Sequence, residues 1–285
     1  MNRYTFISYT GGKYQMLDTI YQMLPAEYTA WIEVFCGSAV VTLNKTPSKI
    51  EVINDLNSEI FNLFNVVKHK HKEFLEQFTY VLNSRELFYK LRKTDVTKLT
   101  DVQKAFKTFY IIRNTFGSRL VRPAFAKWTT NNKGVDLENI EDIVDRVYNR
   151  LRTVLVENMD YKNILSTYDT KDALFFLDPP YLTEGNKQCK DYLYNMSQHD
   201  YVVLNSYLTK LKGRFLMTTN DCSFLRKLFK NFNQTVRYIK YQICNREIRD
   251  NPKCVSKKTG QLIVANYDFE NQSLYRKGFF KQEVA

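Results

Sequence analysis

The residues best suited to chemistry in this sequence are a carboxylate and an aromatic ring held apart by two prolines, at Asp178, Pro179, Pro180 and Tyr181. The apolar run 175–177 before them predicts a buried strand, and Asp178 stands where that strand leaves the core. Proline has a fixed φ and no N–H, so a sheet cannot continue through this stretch. The stretch therefore presents a carboxylate and a ring on a stiff corner, although a simple strand-ending turn has the same pattern.

A second candidate site is the strand end in the stretch WIEVFCGSAVV. A strand ends at Phe35, Gly37 follows, and the small residues Ser38 and Ala39 would let a ligand approach the turn before the next helix. One glycine is a weak signal, and a tight strand-to-helix turn is the alternative. Cys36 has no histidine near it in sequence, which favours a packed thiol over a nucleophile.

A third candidate site follows the next predicted strand, in the stretch EVINDLN. Asp55 comes about 20 residues after the first turn, where an acidic residue can accept hydrogen bonds from ribose hydroxyls. Asp55 could also serve as the N-cap of the following helix. The two strand ends together are more specific for a nucleoside-bearing ligand than either is alone.

The fourth stretch is YTGGKY near the N-terminus. It lacks the G-x-x-x-x-G-K-[ST] pattern of a phosphate-binding loop. Two glycines and Lys13 before a helix could hold a carboxylate, and a plain helix-start loop is the alternative.

Short apolar runs alternate with helical patterns along much of the chain, which predicts a mainly parallel α/β sheet. The predicted strands are Trp31–Cys36, Ile50–Asn54, Val154–Glu157, Leu174–Asp178, Phe215–Thr219, Val236–Ile243 and Leu262–Tyr267. The last two are joined by a polar stretch without a helix pattern and could pair antiparallel. The segment 70–152 breaks the alternation, so we interpret it as an inserted helical subdomain. Its predicted helices are Phe74–Leu82, Glu86–Leu91, Val102–Ile112 and Ile140–Leu151.

The composition favours a nucleic-acid partner. The 285 residues carry a net charge of +12, and 15% of them are aromatic, which suits a polyanion with exposed bases. Solvation of the surface, or an AT-rich genome that inflates lysine content, would give the same charge. We expect no membrane span, because no apolar run approaches the length that is needed to cross a membrane. We also expect no signal peptide, and the two expectations together predict a cytoplasmic protein. The scattered cysteines and only three histidines argue for reduced thiols and against a metal site.

The three strand-end motifs would meet at one edge of a doubly wound sheet, where ligands bind at the carboxyl ends of the strands. If the first strand and the strand before Asp178 are neighbours, one crevice holds a nucleoside-bearing cofactor beside a carboxylate and an exposed ring.

In this arrangement the sequence resembles the Dam-like DNA adenine-N6 methyltransferases over nearly its whole length. The stretches that carry the resemblance are YTGGK at 9–13, EVFCGSAVVTLN at 33–44, INDLN at 53–57, NMDY at 158–161, DPPY at 178–181, TTND at 218–221 and QLIVANY at 261–267. DPPY is the most specific of them. The sequence departs from the residue types usual in the family at Tyr9, Val34, Ala39 and Gln261.

The resemblance implies S-adenosylmethionine as methyl donor, double-stranded DNA as substrate and no metal. It implies a doubly wound, mainly parallel, seven-stranded Rossmann-like sheet whose catalytic domain comprises 1–69 and 153–285. The segment 70–152 would be an inserted helical target-recognition domain. A cognate restriction endonuclease in a restriction-modification system is a candidate partner, in a bacterial or phage-infected cell.

The resemblance also assigns roles to residues. The cofactor-binding residues would be Tyr9, Lys13, Phe35, Gly37, Asp55, Asp160, Tyr161 and Asp178. Among these, Lys13 would meet the methionine carboxylate, Asp55 the ribose, and Asp160 with Tyr161 the adenine of the cofactor. The DNA-binding residues would be Arg113, Asn114, Phe116, Arg119, Arg122 and Lys127, with Lys133 as a further phosphate contact.

The chemistry of adenine explains the opening motif under this interpretation. The exocyclic amine is a poor nucleophile because its lone pair is delocalised into the ring. Asp178 and the carbonyl of Pro179, which Pro180 helps to fix, would accept its two hydrogens. Tyr181 would stack on a base that has been flipped out of the duplex. The alternatives are a methyltransferase for RNA or for the cytosine amine, and a non-catalytic nucleic-acid-binding module.

Overall fold

A computed structural model describes residues 3–9, 11–115, 123–126, 134–182, 194–240 and 258–269. These residues form a seven-stranded sheet. Its strands are β1 (Ala30–Glu33), β2 (Ile50–Asn54), β3 (Val154–Glu157), β4 (Ala173–Leu177), β5 (Arg214–Asn220), β6 (Asn233–Lys240) and β7 (Lys258–Ala265).

Helices precede or follow most of these strands. The α-helices of the described residues are α1 (Leu17–Met23), α2 (Val40–Asn44), α3 (Ser58–His69), α4 (His71–Glu76), α5 (Arg85–Lys93), α6 (Asp101–Asn114), α7 (Ile140–Leu151), α8 (Tyr161–Thr167), α9 (Gln198–Lys210) and α10 (Ser223–Leu228). Short 3₁₀ turns lie at Tyr14–Met16 and Val96–Lys98.

The order of strands across the sheet is β3-β2-β1-β4-β5-β7-β6. The pairs from β3 to β5 are all parallel, and β7 pairs antiparallel with both β5 and β6. The predicted antiparallel pairing of the last two strands is therefore confirmed. Because β1 lies between β2 and β4, the carboxyl ends that follow these three strands meet at one edge.

Sequence pattern and structure agree closely for the central strands, which are continuous apolar runs of the kind that buried parallel strands require. All residues of β1 and β4 are buried. The first strand ends at Glu33, earlier than the predicted Cys36. Gly37 and Ala39 both have positive φ, and the chain has already turned towards α2 there.

Apolar side chains of the strands alternate between two faces. Phe175, Leu177 and Phe215 pack on one face with residues of α8, α9 and α10. Trp31 and Phe176 pack on the other face with residues of α1 and α2, their rings stacked 5.7 Å apart.

The helices between α3 and β3 share one continuous core with the sheet domain. Phe6 lies 5.0 Å from Phe109 of α6 and 6.1 Å from Phe64 of α3, measured between ring centroids. Arg150 of α7 donates to both carboxylate oxygens of Glu51 in β2, at 2.5 and 2.9 Å. Helix α7 is thus packed directly against the sheet.

One predicted helix of this segment is wrong in its bounds. Helix α4 begins at His71 and ends at Glu76, whereas a helix over Phe74–Leu82 was expected. The N–H groups of Gln77, Phe78 and Thr79 donate to carbonyls three residues back, so the chain tightens into turns after Glu76.

Within the described ranges, no helix is long and apolar enough to cross a membrane.

Candidate active site

A cavity of about 430 Å³ opens at the carboxyl ends of β1, β2 and β4. Every residue that the sequence predicted to bind the cofactor lines it, as do Glu33 and Pro180. The predicted lining residues are Tyr9, Lys13, Phe35, Gly37, Asp55, Asp160, Tyr161 and Asp178. Pockets of this size, at this edge of a parallel sheet, are where α/β proteins bind nucleotides.

The turn after β1 leaves room for an aromatic ring. Gly37 has φ +48°, a conformation that L side chains rarely adopt, and a Cβ atom there would lie 2.9 Å from the ring of Tyr9. Glycine is therefore required at this position both by backbone conformation and by the approach of Tyr9.

Asp55 holds the turns on either side of the cavity. Its Oδ2 accepts from the N–H of Gly37 at 2.8 Å, and its Oδ1 accepts from the N–H of Asn57 at 2.9 Å. Burial raises the pKa of Asp55, and these N–H donors oppose that rise. The predicted N-cap role is wrong, because the N-cap of α3 is Asn57, whose side chain accepts from Glu59. Each oxygen of Asp55 keeps a lone pair for a further donor.

An aromatic pair closes the cavity beside α8. The rings of Phe35 and Tyr161 lie 5.7 Å apart at 36°, and burial raises the pKa of Tyr161 to about 12. Asp160 is the N-cap of α8 and accepts from the N–H of Lys162 at 2.9 Å. This cap brings Asp160 and Tyr161 together at the cavity wall.

Asp178 is held at both of its carboxylate oxygens. Lys13 Nζ donates to Oδ2 at 2.6 Å, and Thr218 Oγ1 donates to Oδ1 at 3.0 Å. Burial raises the pKa of Asp178, and the ammonium of Lys13 opposes that rise. The two donors fix the plane of the carboxylate at the carboxyl end of β4.

Lys13 is 2% exposed and donates hydrogen bonds to the DPPY corner, the turn formed by residues 178–181. Besides Asp178, its Nζ donates to Gly11 O at 2.7 Å and to Tyr181 Oη at 2.9 Å. A contact with a cofactor carboxylate therefore requires Lys13 to give up one of these partners. Tyr181 in turn donates to Gln261 Oε1, so the phenol of the predicted stacking residue is tied to β7.

The predicted DNA-binding residues fall into two groups. Asn114 is 1% exposed and donates to Tyr110 O at 3.0 Å, so a base contact would require it to leave the core. Arg113 is half-buried, and burial lowers its pKa. The remaining candidates lie outside the described residues, namely Phe116, Arg119, Arg122, Lys127 and Lys133.

Sequence reasoning missed Glu33, a fully buried acid that lines the cavity. Its Oε2 accepts from the backbone N–H of Thr42 at 3.0 Å and from the Thr42 hydroxyl. Burial raises the pKa of Glu33 to about 8. The available signal was a single acidic residue inside the apolar run of β1. Also missed was the wall before and within α9, formed by Tyr194, Asn195, Met196 and Asp200.

Metal-ligating side chains do not cluster in the part of the chain that the structure describes. The polar groups of the cavity are instead carboxylates, hydroxyls, an amide, backbone N–H donors and the ammonium groups of Lys13 and Lys162. Such groups suit an organic ligand that carries hydroxyl and charged groups.

Comparison with known proteins gives one family match that covers most of the chain. The model of a family described as D12 class N6 adenine-specific DNA methyltransferase matches residues 9–243. This match includes the three strand-end motifs and most of the YTGGKY stretch, all of which contribute residues to the cavity.

Individual relatives agree with this match. The chain is 29% identical over 251 residues to the type II methyltransferase M1.LlaDCHI of Lactococcus lactis subsp. cremoris, covering 82% of this chain and 87% of that protein. It is 23% identical to the type II methyltransferase M.CviBI of Paramecium bursaria Chlorella virus NC1A, over 92% of this chain and 98% of that protein. A shorter match, 32% identical over 39% of this chain and 42% of the relative, is to a DNA adenine methylase of Serratia marcescens.

Proposed function

Since this chain belongs to the D12 class N6 adenine-specific DNA methyltransferases, we propose that its cavity binds S-adenosylmethionine and that Asp178, Pro179, Pro180 and Tyr181 present the adenine amine to it. The chain is an enzyme that methylates adenine in DNA. The observation that carries the assignment of the site is the orientation of Asp178, whose two oxygens are both held at the cavity edge.

The cavity fits a nucleoside-bearing sulfonium cofactor. Asp55 keeps acceptor capacity for ribose hydroxyls, and the ring of Tyr161 can stack on a purine. The glycine turn at Gly37 lets a ligand come close to the backbone. When bound, S-adenosylmethionine supplies an electrophilic methyl group on a positively charged sulfur.

The protein residues would act by positioning and electrostatics. Asp178 accepts one hydrogen of the amine and the Pro179 carbonyl accepts the other, which directs the nitrogen lone pair towards the methyl group. The amine becomes acidic only after it has gained the methyl group, so its proton can leave late. Asp178 is therefore an orienting acceptor and need not be a strong base.

The adenine must leave the base stack to reach this corner, because its amine is inaccessible inside a duplex. We propose that Tyr181 stacks on the flipped base. Since the Tyr181 hydroxyl already has partners in Lys13 and Gln261, the far end of its ring is held in place before the base arrives.

We propose that the helical segment after α3 recognises DNA as an insertion in a doubly wound sheet. The packing of α7 on the sheet through Arg150 and Glu51 favours an insertion that ends before α7, shorter than 70–152. Two of the relatives are named type II methyltransferases, which supports a cognate restriction endonuclease as partner.

The test of the function is nucleoside analysis. Duplex DNA is incubated with the protein and methyl-labelled S-adenosylmethionine, digested, and separated into nucleosides. We expect the label in N6-methyladenine. Label in N4-methylcytosine alone would favour the cytosine enzyme, and transfer to RNA alone would favour an RNA enzyme.

The assignment of the site is tested by Asp178→Ala. The variant loses one acceptor for the amine, and we expect the rate of methyl transfer to fall by about 10²-fold or more. Asp145→Ala is the matched control, because it removes an exposed carboxylate from α7. Turnover of the Asp178 variant within a few-fold of the control would contradict the proposed site.

A further inference from the structure

Leu182, the first residue after the DPPY corner, is held by hydrogen bonds to one amide side chain. Asn220, the last residue of β5, accepts from the N–H of Leu182 at 2.9 Å through Oδ1. Its Nδ2 donates to the carbonyl of the same residue at 2.9 Å. The amide thus pairs with both backbone groups of Leu182, as a neighbouring strand would.

A second contact holds the same segment two residues earlier, at Pro180. Tyr201 of α9 is fully buried, and its hydroxyl donates to Pro180 O at 3.1 Å and pairs with Thr219 Oγ1 at 2.9 Å. Thr219 and Asn220 are consecutive in β5, so the end of this strand supports the corner at two successive points.

The covalent structure makes the corner stiff between its anchors. Asp178 is fixed by Lys13 and Thr218, and Leu182 is fixed by Asn220. The two prolines between them have fixed φ angles. A displacement of Leu182 is therefore transmitted to the Pro179 carbonyl and the Tyr181 ring, since few torsions remain to absorb it.

The Pro179 carbonyl differs from that of Pro180, because it accepts no hydrogen bond from any of the described residues. Its direction is thus set only by the anchors on either side. An acceptor that is held in place but left free of partners is the arrangement needed to receive a donor from a substrate.

We propose that Asn220 is a positioning residue for methyl transfer, which sets the direction of the Pro179 carbonyl and the Tyr181 ring through its paired contacts with Leu182. The proposal rests on the proposed function of the DPPY corner and extends it to a residue outside the cavity. Asn220 would act on the rate of the chemical step and leave cofactor affinity unchanged, because it does not line the cofactor cavity.

The test compares Asn220→Asp with Asn266→Asp. Asn266 makes an equivalent pair of backbone contacts at the opposite end of β5, although with two residues, accepting from Phe215 N at 2.8 Å and donating to Gly213 O at 2.9 Å. Each variant replaces an amide donor with a carboxylate that faces a carbonyl, so the two should lose similar thermal stability. Asn220→Ala, which removes both contacts without adding charge, decides the question by the same criteria if Asn220→Asp does not fold.

We expect the single-turnover rate of Asn220→Asp to fall about 10-fold or more, because small misplacements of reacting groups are costly. The dissociation constant for S-adenosylmethionine should stay within about twofold, and Asn266→Asp should keep its rate. An Asn220 variant with an unchanged rate, or equal losses for both asparagines, would overturn the proposal. Wild-type transfer to adenine and its loss in Asp178→Ala test the proposed function separately, so the two failures are distinguishable.

Discussion

Two acids that line the cavity are stabilised in different ways. Asp178 has an ammonium partner in Lys13, whereas Glu33 accepts only from the backbone and hydroxyl of Thr42 among the contacts of the described residues. Desolvation therefore raises the pKa of Glu33 to about 8. Glu33 binds its proton more tightly in the folded protein than in the unfolded chain.

This difference predicts how Glu33→Gln changes stability with pH. Between the ordinary pKa of 4.5 and the folded value of about 8, the unfolded chain releases a proton that the folded protein retains. Folding of the wild type thus loses stability as pH rises through this window. Glutamine keeps an acceptor for Thr42 and has no proton to release, so the stability of the variant relative to wild type should rise from about pH 5 to about pH 8.

Urea unfolding at several pH values measures the effect. The control is Glu138→Gln, which changes an exposed carboxylate and should follow the wild type throughout. Parallel stability curves for wild type and Glu33→Gln would show that Glu33 is ionised in the folded protein.

At the scale of elements, α7 is attached to the sheet by a buried ion pair. Glu51 of β2 is contacted by Arg150 at 2.5 Å and by Lys45 at 2.6 Å, and its side chain is 1% exposed. Arg150→Ala should lower the free energy of unfolding by about 3 kcal/mol, at the lower end of the usual range because Lys45 still neutralises Glu51.

Arg152→Ala is the matched control for this prediction. Arg152 directly follows α7 and is exposed, so its loss should change the free energy of unfolding by no more than about 0.5 kcal/mol. Equal effects of the two substitutions in urea denaturation would mean that the ion pair does not hold α7 to the sheet.

Elements were predictable where local sequence decides them. The bounds of β2 and β3 agree with the predicted Ile50–Asn54 and Val154–Glu157, because each is an apolar run ended by polar residues. The end of α4 was not predictable, since the tightening of the chain after Glu76 depends on how Phe74 and Phe78 pack against α6.

The site was predictable as a set of strand ends, but its internal contacts were not. Lys13 and Asp178 lie 165 residues apart, and Tyr181 and Gln261 lie 80 apart. Such pairs depend on the order of strands in the sheet, which a single sequence does not specify. For this reason Lys13 was assigned to the cofactor alone, whereas the structure ties it to Asp178 and Tyr181.

At the scale of the whole molecule, the net charge of +12 bears on how the enzyme finds DNA. A protein that neutralises several phosphates releases counterions, and the logarithm of its affinity then falls linearly with the logarithm of salt concentration. We therefore expect a steep salt dependence of binding to duplex DNA. A flat dependence would show that the basic excess serves only to solvate the surface.

Arg119 and Arg122 are predicted to bind DNA, and the same measurement separates a contact with phosphate from a contact with a base edge. If an arginine contacts phosphate, its replacement by alanine should weaken binding to all DNA sequences alike. It should also reduce the slope of log affinity against log salt concentration by about one unit. If it reads a base, replacement should cost about 1–3 kcal/mol and relax specificity at one base pair. We expect the second result, seen as a broader methylated motif when modified DNA is sequenced.

Lys171→Ala is the control for both arginine variants. This exposed lysine precedes β4 at the end of the strand opposite to the cavity, so its replacement should change neither the salt dependence nor the methylated motif. An unchanged motif in both arginine variants would assign base reading to another part of the chain, most simply the segment 127–136.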